Sequence, residues 1–124
     1  MFGKKNSSDI IIKYFKEKSI EYEYKNNIFS FNLSLDGCIL NPYLLIDDNI
    51  LSIMVNIREL TKKDNNIYEK INNFNVISKI FNAKVKNNVI YLEYNTLIDN
   101  DNIEDIFDLI LLSLSELSLE INDL

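Results

Sequence analysis

The side chains able to do chemistry are few, and their spacing builds no reaction centre. The 124-residue chain has no histidine. Histidine-based triads, histidine proton shuttles and most zinc sites are thereby excluded. The one cysteine, Cys38, follows Asp36-Gly37 with no histidine to activate it. It reads as a small buried or half-buried hydrophobe. Gly3 and Gly37 are the only glycines, so neither a P-loop nor a GxGxxG turn can form. Asp47-Asp48-Asn49 and the stretch from Asp99 to Asp105 are rich in oxygens, but the glycine and closing glutamate of a calcium loop are missing. The second stretch reads as helix capping. Arg58 is the only arginine, and its expected role is to hold a carboxylate. Tyr22, Tyr24, Tyr91 and Tyr94 are the residues for a base-stacking platform, yet their acidic setting favours core or interface packing. No catalytic residue, no metal ligand and no cofactor is expected.

Charge narrows the partners. The net charge is −6, and Thr96 to Leu124 holds eight acidic residues with no lysine or arginine. Such a segment repels a phosphate backbone, so nucleic acid is not expected. It reads as a solvated helix face, or as a surface that meets a basic partner. A single cysteine permits no disulfide framework and suits a reducing compartment. The polar MFGKKNSSD start is followed by no apolar run of signal-peptide or membrane-span length. The expectation is a cytoplasmic protein without a membrane segment, folded as one domain over 1–124 with a flexible stretch at 1–6.

The elements that would position any site follow from periodicity. Asn6, Ser7 and Ser8 cap a first helix from Ser8 to Lys18, with Ile11, Phe15 and Ile12 as its buried stripe. Ile20 to Lys25 alternates as a strand, and Asn26-Asn27 turns it. Phe29, Phe31, Leu33 and Leu35 form one continuous strand, closed by the hairpin signal Asp36-Gly37. Cys38 to Ile46 returns, broken at Asn41-Pro42, where proline argues for an edge or a bulge. After Asp47-Asp48-Asn49 comes a strand with Leu51, Ile53, Val55 and Ile57 on one face. A second helix buries Ile67, Ile71, Phe74 and Ile77, with Asn65 or Asn66 as its cap. A hairpin follows, with Phe81, Ala83 and Val85 before the Asn87-Asn88 turn and Ile90, Leu92 and Tyr94 after it. The last helix opens with an Asp101/Glu104 capping box and carries Ile103, Ile106, Phe107, Ile110, Leu114, Leu117 and Ile121 over about five turns. The pattern predicts an α+β fold, an antiparallel sheet of meander plus hairpin with three helices, in the order α-β-β-β(-β)-α-β-β-α.

The last helix is apolar on more than one side. Leu109, Leu112 and Leu119 widen its stripe beyond what a sheet requires. Two neighbours could cover them: the first helix of the same chain, or the same helix of a second copy in a homodimer.

The order of elements, with Ile71-Asn72-Asn73-Phe74-Asn75 on the second helix, then Lys79 to Val85, a short turn and Val89 to Tyr94, resembles the YbjN family, grouped with the type III secretion chaperone-like fold. That family tends to show Ile-Asn-x-x-Asn on this helix, and Ile71, Asn72 and Asn75 occupy those positions. The resemblance implies a non-enzymatic α+β domain, often dimeric, among regulators of sensory or stress responses and binders of partly unfolded secreted proteins. Beside it, Asn72 and Asn75 stand i, i+3, where their amides can tie neighbouring backbone at the helix-to-strand passage. The leading expectation is a protein-binding, regulatory or chaperone-like module. The alternatives are a small ligand-binding protein or enzyme with a pocket between sheet and helices, and a phage or mobile-element protein that inhibits a host factor.

Overall fold

Asparagine and aspartate turns lay out the sheet. Asn26, Asn27, Asp48, Asn87 and Asn88 all have positive φ, between 52° and 67°. These side chains tolerate the left-handed region, and two such residues in a row make the hairpin turn whose twist matches the strands it joins. The computed structural model describes residues 7–35 and 37–124. The expectations of a flexible 1–6, of Asn6 as a cap, of Asp36 in its turn and of a buried Cys38 side chain lie outside what it describes.

The chain runs α1 (Ser7–Glu17), β1 (Tyr22–Lys25), β2 (Ile28–Phe31), β3 (Leu33–Leu35), β4 (Cys38–Leu40), β5 (Pro42–Asp47), β6 (Ile50–Glu59), α2 (Ile67–Ile77), β7 (Asn82–Lys86), β8 (Val89–Leu97), α3 (Ile103–Glu116) and α4 (Ser118–Asn122). It is the expected α+β fold. Six strands form an antiparallel sheet in the order β1-β2-β5-β6-β8-β7, and β3 and β4 form a separate hairpin. The register sets Phe29, Leu44 and Ile53 side by side across three strands. Val55, Leu92 and Ala83 form a second row. All six are buried, on the face that the helices cover. Helix α1 brings Ile11, Tyr14 and Phe15 to that face. Helix α3 brings Ile103, Phe107, Ile110 and Leu114.

Several expectations need correction. The strand from Phe29 to Leu35 is not continuous. It breaks at Asn32, and β2 and β3 belong to different sheets. Pro42 explains the break. By the alternation of antiparallel bonds, the backbone of residue 42 faces β2, and proline has no N–H to give to Phe31. The β2–β5 ladder therefore ends at Ser30 and Tyr43, and the β3–β4 hairpin leaves the sheet to lay Leu33, Leu35 and Leu40 on the core. The proline strand is not at an edge, because β5 lies between β2 and β6. A register shift between Asn56 and Arg58 bulges β6 and takes Ile57 out of strict alternation.

The helices differ in detail. Tyr14 is a buried residue of α1, while Ile12 is only half-buried. Ile77 is 55% exposed, because α2 stops there and Ser78 is extended. Asn66 stands at the N-cap of α2 but makes no side-chain cap bond. The last helix is two, so there are four helices where three were expected. Leu117 interrupts it at φ −93° and ψ 9°, and this bend keeps Leu117, Ile121 and Leu124 against the core. The Asp101/Glu104 capping box does not form, since Asn102 is the N-cap. Asp99 Oδ1 instead accepts the Asp101 and Asn102 amides at 2.8 and 2.9 Å, and Asn102 Oδ1 accepts the Asp99 amide at 2.8 Å. The reciprocal pair sits outside the helix, where an Asx turn competes with the capping box.

Ile71, on the buried face of α2, tests this packing. Ile71→Asp places a carboxylate where no partner waits, at a cost of several kcal/mol, comparable with the stability of a small domain. Denaturant unfolding should show the variant unfolded or nearly so. Cooperative unfolding close to wild type would put α2 on the wrong face.

Candidate protein-interaction surfaces

An open sheet has two edges, and here they are treated differently. On β7 the backbone of Ala83 points away from β8, because the two-residue turn Asn87-Asn88 makes Lys86 and Val89 the closing bonded pair and the bonding alternates from there. Asn75 of α2 meets those outward groups. Its Oδ1 accepts the Ala83 amide at 2.7 Å, and its Nδ2 donates to the Ala83 carbonyl at 3.1 Å. Ser78 Oγ accepts the Phe81 amide at 3.1 Å. Two side chains thus stand where a neighbouring strand would. Of the other motif positions, Ile71 is buried and Asn72 is exposed.

On β1 the same reasoning leaves the edge open. Lys25 and Ile28 close the Asn26-Asn27 turn, so the backbones of Tyr22 and Tyr24 point away from β2. Among the described residues no strand pairs with that side. The Tyr22 ring stacks on Phe15 at 5.1 Å, and the Tyr24 ring stacks on Phe29 at 4.1 Å. Tyr94 lies against Phe81, and Tyr91 is buried on β8. The four tyrosines are not brought together.

Apolar groups are exposed in several places, including Ile39 on β4 and Tyr68, Val76 and Ile77 on α2. On the sheet face away from the helices, Ile28 pairs with Leu45, Tyr43 with Met54, and Ile50 with Leu97. All six side chains are exposed. On the last helices Leu109, Leu112 and Leu119 are 42%, 56% and 73% exposed. Helix α1 does pack on α3, through Tyr14 against Phe107 at 5.0 Å and a 2.7 Å hydrogen bond from the Tyr14 hydroxyl to Asp108. It leaves the three leucines uncovered. Burial, with the bond to Asp108 and the charges of Asp108 and Glu104, raises the pKa of Tyr14. That phenol stays a donor.

Clefts open on the surface. One, of 680 Å³, lies between Glu21, Glu23 and Tyr22 on one side and Asn32, Asn41 and Tyr43 on the other. The second, of 400 Å³, lies between α2 and α4, with Phe74, Ile77 and Glu120 in its wall. In the first, Ser30 stands directly across from Glu23 on the neighbouring strand. Among the described residues no group of three or more metal-ligating side chains occurs, and no helix is long and apolar enough to cross a membrane.

Arg58 holds the structure together. Its fork donates to Asp64 at 2.6 and 2.9 Å, and its Nε donates to the Leu124 backbone oxygen at 3.0 Å. Asp64 also accepts the Thr61 amide at 2.6 Å. The connector and the end of α4 are thereby fixed to β6. The same bonds, from Arg58 first and Thr61 second, hold the Asp64 carboxyl well below the usual carboxylate range.

Sequence reasoning reached Asn75 and the leucines. It missed Ser78, the β1 edge and the apolar outer sheet face. The alternation of Tyr43, Leu45 and Ile50, Ser52, Met54 was available for the last, because apolar residues there occupy both faces of two strands.

No family model matches the sequence, and no curated protein matches it. Solved structures do match. YbjN from E. coli superimposes with a TM-score of 0.69 at 9% identity, over 94% of this chain and 89% of that one. The Yersinia pestis type III secretion chaperone SycH, solved with a stable fragment of YscM2, superimposes with a TM-score of 0.61 at 17% identity, over 94% of this chain and 99% of that one.

Two outcomes follow from the side-chain ties. Asn75→Ala removes two hydrogen bonds and should lower stability by about 2 kcal/mol, with faster hydrogen exchange at Ala83. The Asp64 tie predicts a pH dependence. Its folded pKa is depressed, so its contribution is whole above the unfolded value near about 4 and is lost as pH falls below it. Unfolding curves of wild type and Asp64→Asn should therefore converge between about pH 4 and the acid limit, and differ most at neutral pH. The fold of this chain is that of YbjN and SycH.

Proposed function

We propose that this domain is a non-enzymatic protein-binding module, a regulator or chaperone-like binder that works in the cytoplasm. The observation that carries this reading is the fold shared with SycH over 94% of the chain, since SycH was solved holding a protein fragment. The surface supports it. The exposed side chains offer an apolar sheet face and a leucine flank, which suit protein contact. The lone cysteine fits a reducing compartment.

We also propose that Leu109, Leu112 and Leu119 pair with the same flank of a second copy. They follow one side of the last helices, and α1 does not cover them. The acidic residues of α3 and α4 repel one another in such a pair. Added salt screens that repulsion, so dimerisation should strengthen with salt.

Affinity purification from the native cell tests the module. A protein partner recovered in stoichiometric amount is expected. Repeated crosslinked preparations with none would shift the function to the 680 Å³ cleft and small ligands. Leu112→Asp tests the pair. Sedimentation should show wild type as a dimer at tens of micromolar and the variant as a folded monomer. A monomeric wild type at high salt would remove the homodimer.

A further inference from the structure

The 400 Å³ cleft between α2 and α4 is lined by the apolar side chains of Phe74, Ile77 and Leu124 and by the charged ones of Lys70, Glu120 and Asp123. Lys70 and Asp123 are exposed, and Glu120 is half-buried. Glu120 Oε2 is shut off from water and accepts no hydrogen bond. A carboxylate oxygen left in that state is costly, and a turn of the side chain toward a donor in the cleft recovers the cost. Among the described residues, none of these three charged groups takes part in an ion pair.

Charge says what fits there. Two carboxylates outnumber the one ammonium in the wall. Phe74 and Ile77 belong to the last turn of α2, which holds no basic residue, so the negative end of that helix adds to the imbalance. A cation on an apolar stem matches such a lining. Arginine matches it best among side chains. Its planar fork pairs with carboxylates through two bonds, and it gives up water more readily than lysine. The described residues that border undescribed ones stand elsewhere. Ser7 opens α1, whose Ser8 meets Tyr24 on β1, at the sheet edge opposite the one that α2 covers. Gly37 lies against Asn122, which helical spacing puts on the other side of α4 from Glu120.

We propose that the cleft between α2 and α4 receives an arginine side chain of a partner protein, its guanidinium on Glu120 and Asp123 and its stem on Phe74, Ile77 and Leu124. This deepens the protein-binding reading and rests on it. A second copy of the chain does not supply that arginine. Arg58 is the only one, and Asp64 and the Leu124 backbone oxygen already hold it.

The test uses the full chain, isotope-labelled, and a capped peptide of glycine and serine with one central arginine. The expected result is amide shifts concentrated at Lys70, Asn73, Ile77, Glu120 and Asp123. Binding should weaken by about tenfold or more when citrulline, the neutral isostere, replaces the arginine, and by a similar factor in Glu120→Gln. Asp123→Asn, at an exposed position, should weaken it less, and Lys70→Ala, which removes a like charge, should tighten it. An unfolding midpoint for each variant near that of wild type keeps these readings about the site. Shifts centred elsewhere, equal binding of the citrulline peptide, equal binding by Glu120→Gln, a dimer of the chain alone that covers these amides, or no shift at millimolar peptide would each overturn the proposal. A stoichiometric partner from cells that wild type and Glu120→Gln retain equally would sink this site while the protein-binding reading stands. Crosslinked preparations without any partner would remove that reading and this occupant with it.

Discussion

The fold depends on covering one face of one sheet, and Phe15 is where that cover is fixed. Its ring is fully buried. It stacks on Tyr22, meets Phe31 at 5.0 Å and Phe29 at 5.8 Å, and stands edge-on to Phe107 at 5.6 Å. One side chain of α1 thus contacts β1, β2 and α3 together. Aromatic groups bury much area each and favour offset or edge-on geometry, so this cluster fixes the angle of the helices as well as their distance. The Tyr14–Asp108 hydrogen bond adds a polar tie at the rim of the same junction. Pro42 belongs to the same economy of space, because ending the β2–β5 ladder frees β3 and β4 to close the core from the side.

Covering one face leaves the other face and two edges to be managed. The outer face keeps Ile28, Tyr43, Leu45, Ile50, Met54 and Leu97 in contact with water. One edge is blunted by Asn75 and Ser78, and among the described residues no strand pairs with the other. Edge protection by side-chain amides stabilises the monomer and withholds that side from partners. The result is a domain with exposed apolar groups on the outer sheet face, on α2, on β4 and on the last helices.

Much of this was legible in the residues. The periodicities of Ile11 and Phe15, of Leu51, Ile53 and Val55, and of Ile103, Phe107 and Ile110 placed the core correctly, because period and face are local properties. Asn26-Asn27 and Asn87-Asn88 marked their turns for the same reason. Asn75 was found as a tie without its target. Its bond to Ala83 needs the distance between a helix and a strand edge, which no local pattern contains.

What the sequence by itself determined is the class of fold and most of the buried residues, because these depend on residue type and near-neighbour spacing. Tertiary structure alone decided that β5 is interior, that the run from Phe29 to Leu35 divides, that the last helix bends at Leu117 and that β1, not the proline strand, offers the free edge. Each of these turns on which strand lies beside which. That order is set by burying the whole sheet face at once, a constraint shared across the chain and written at no single position.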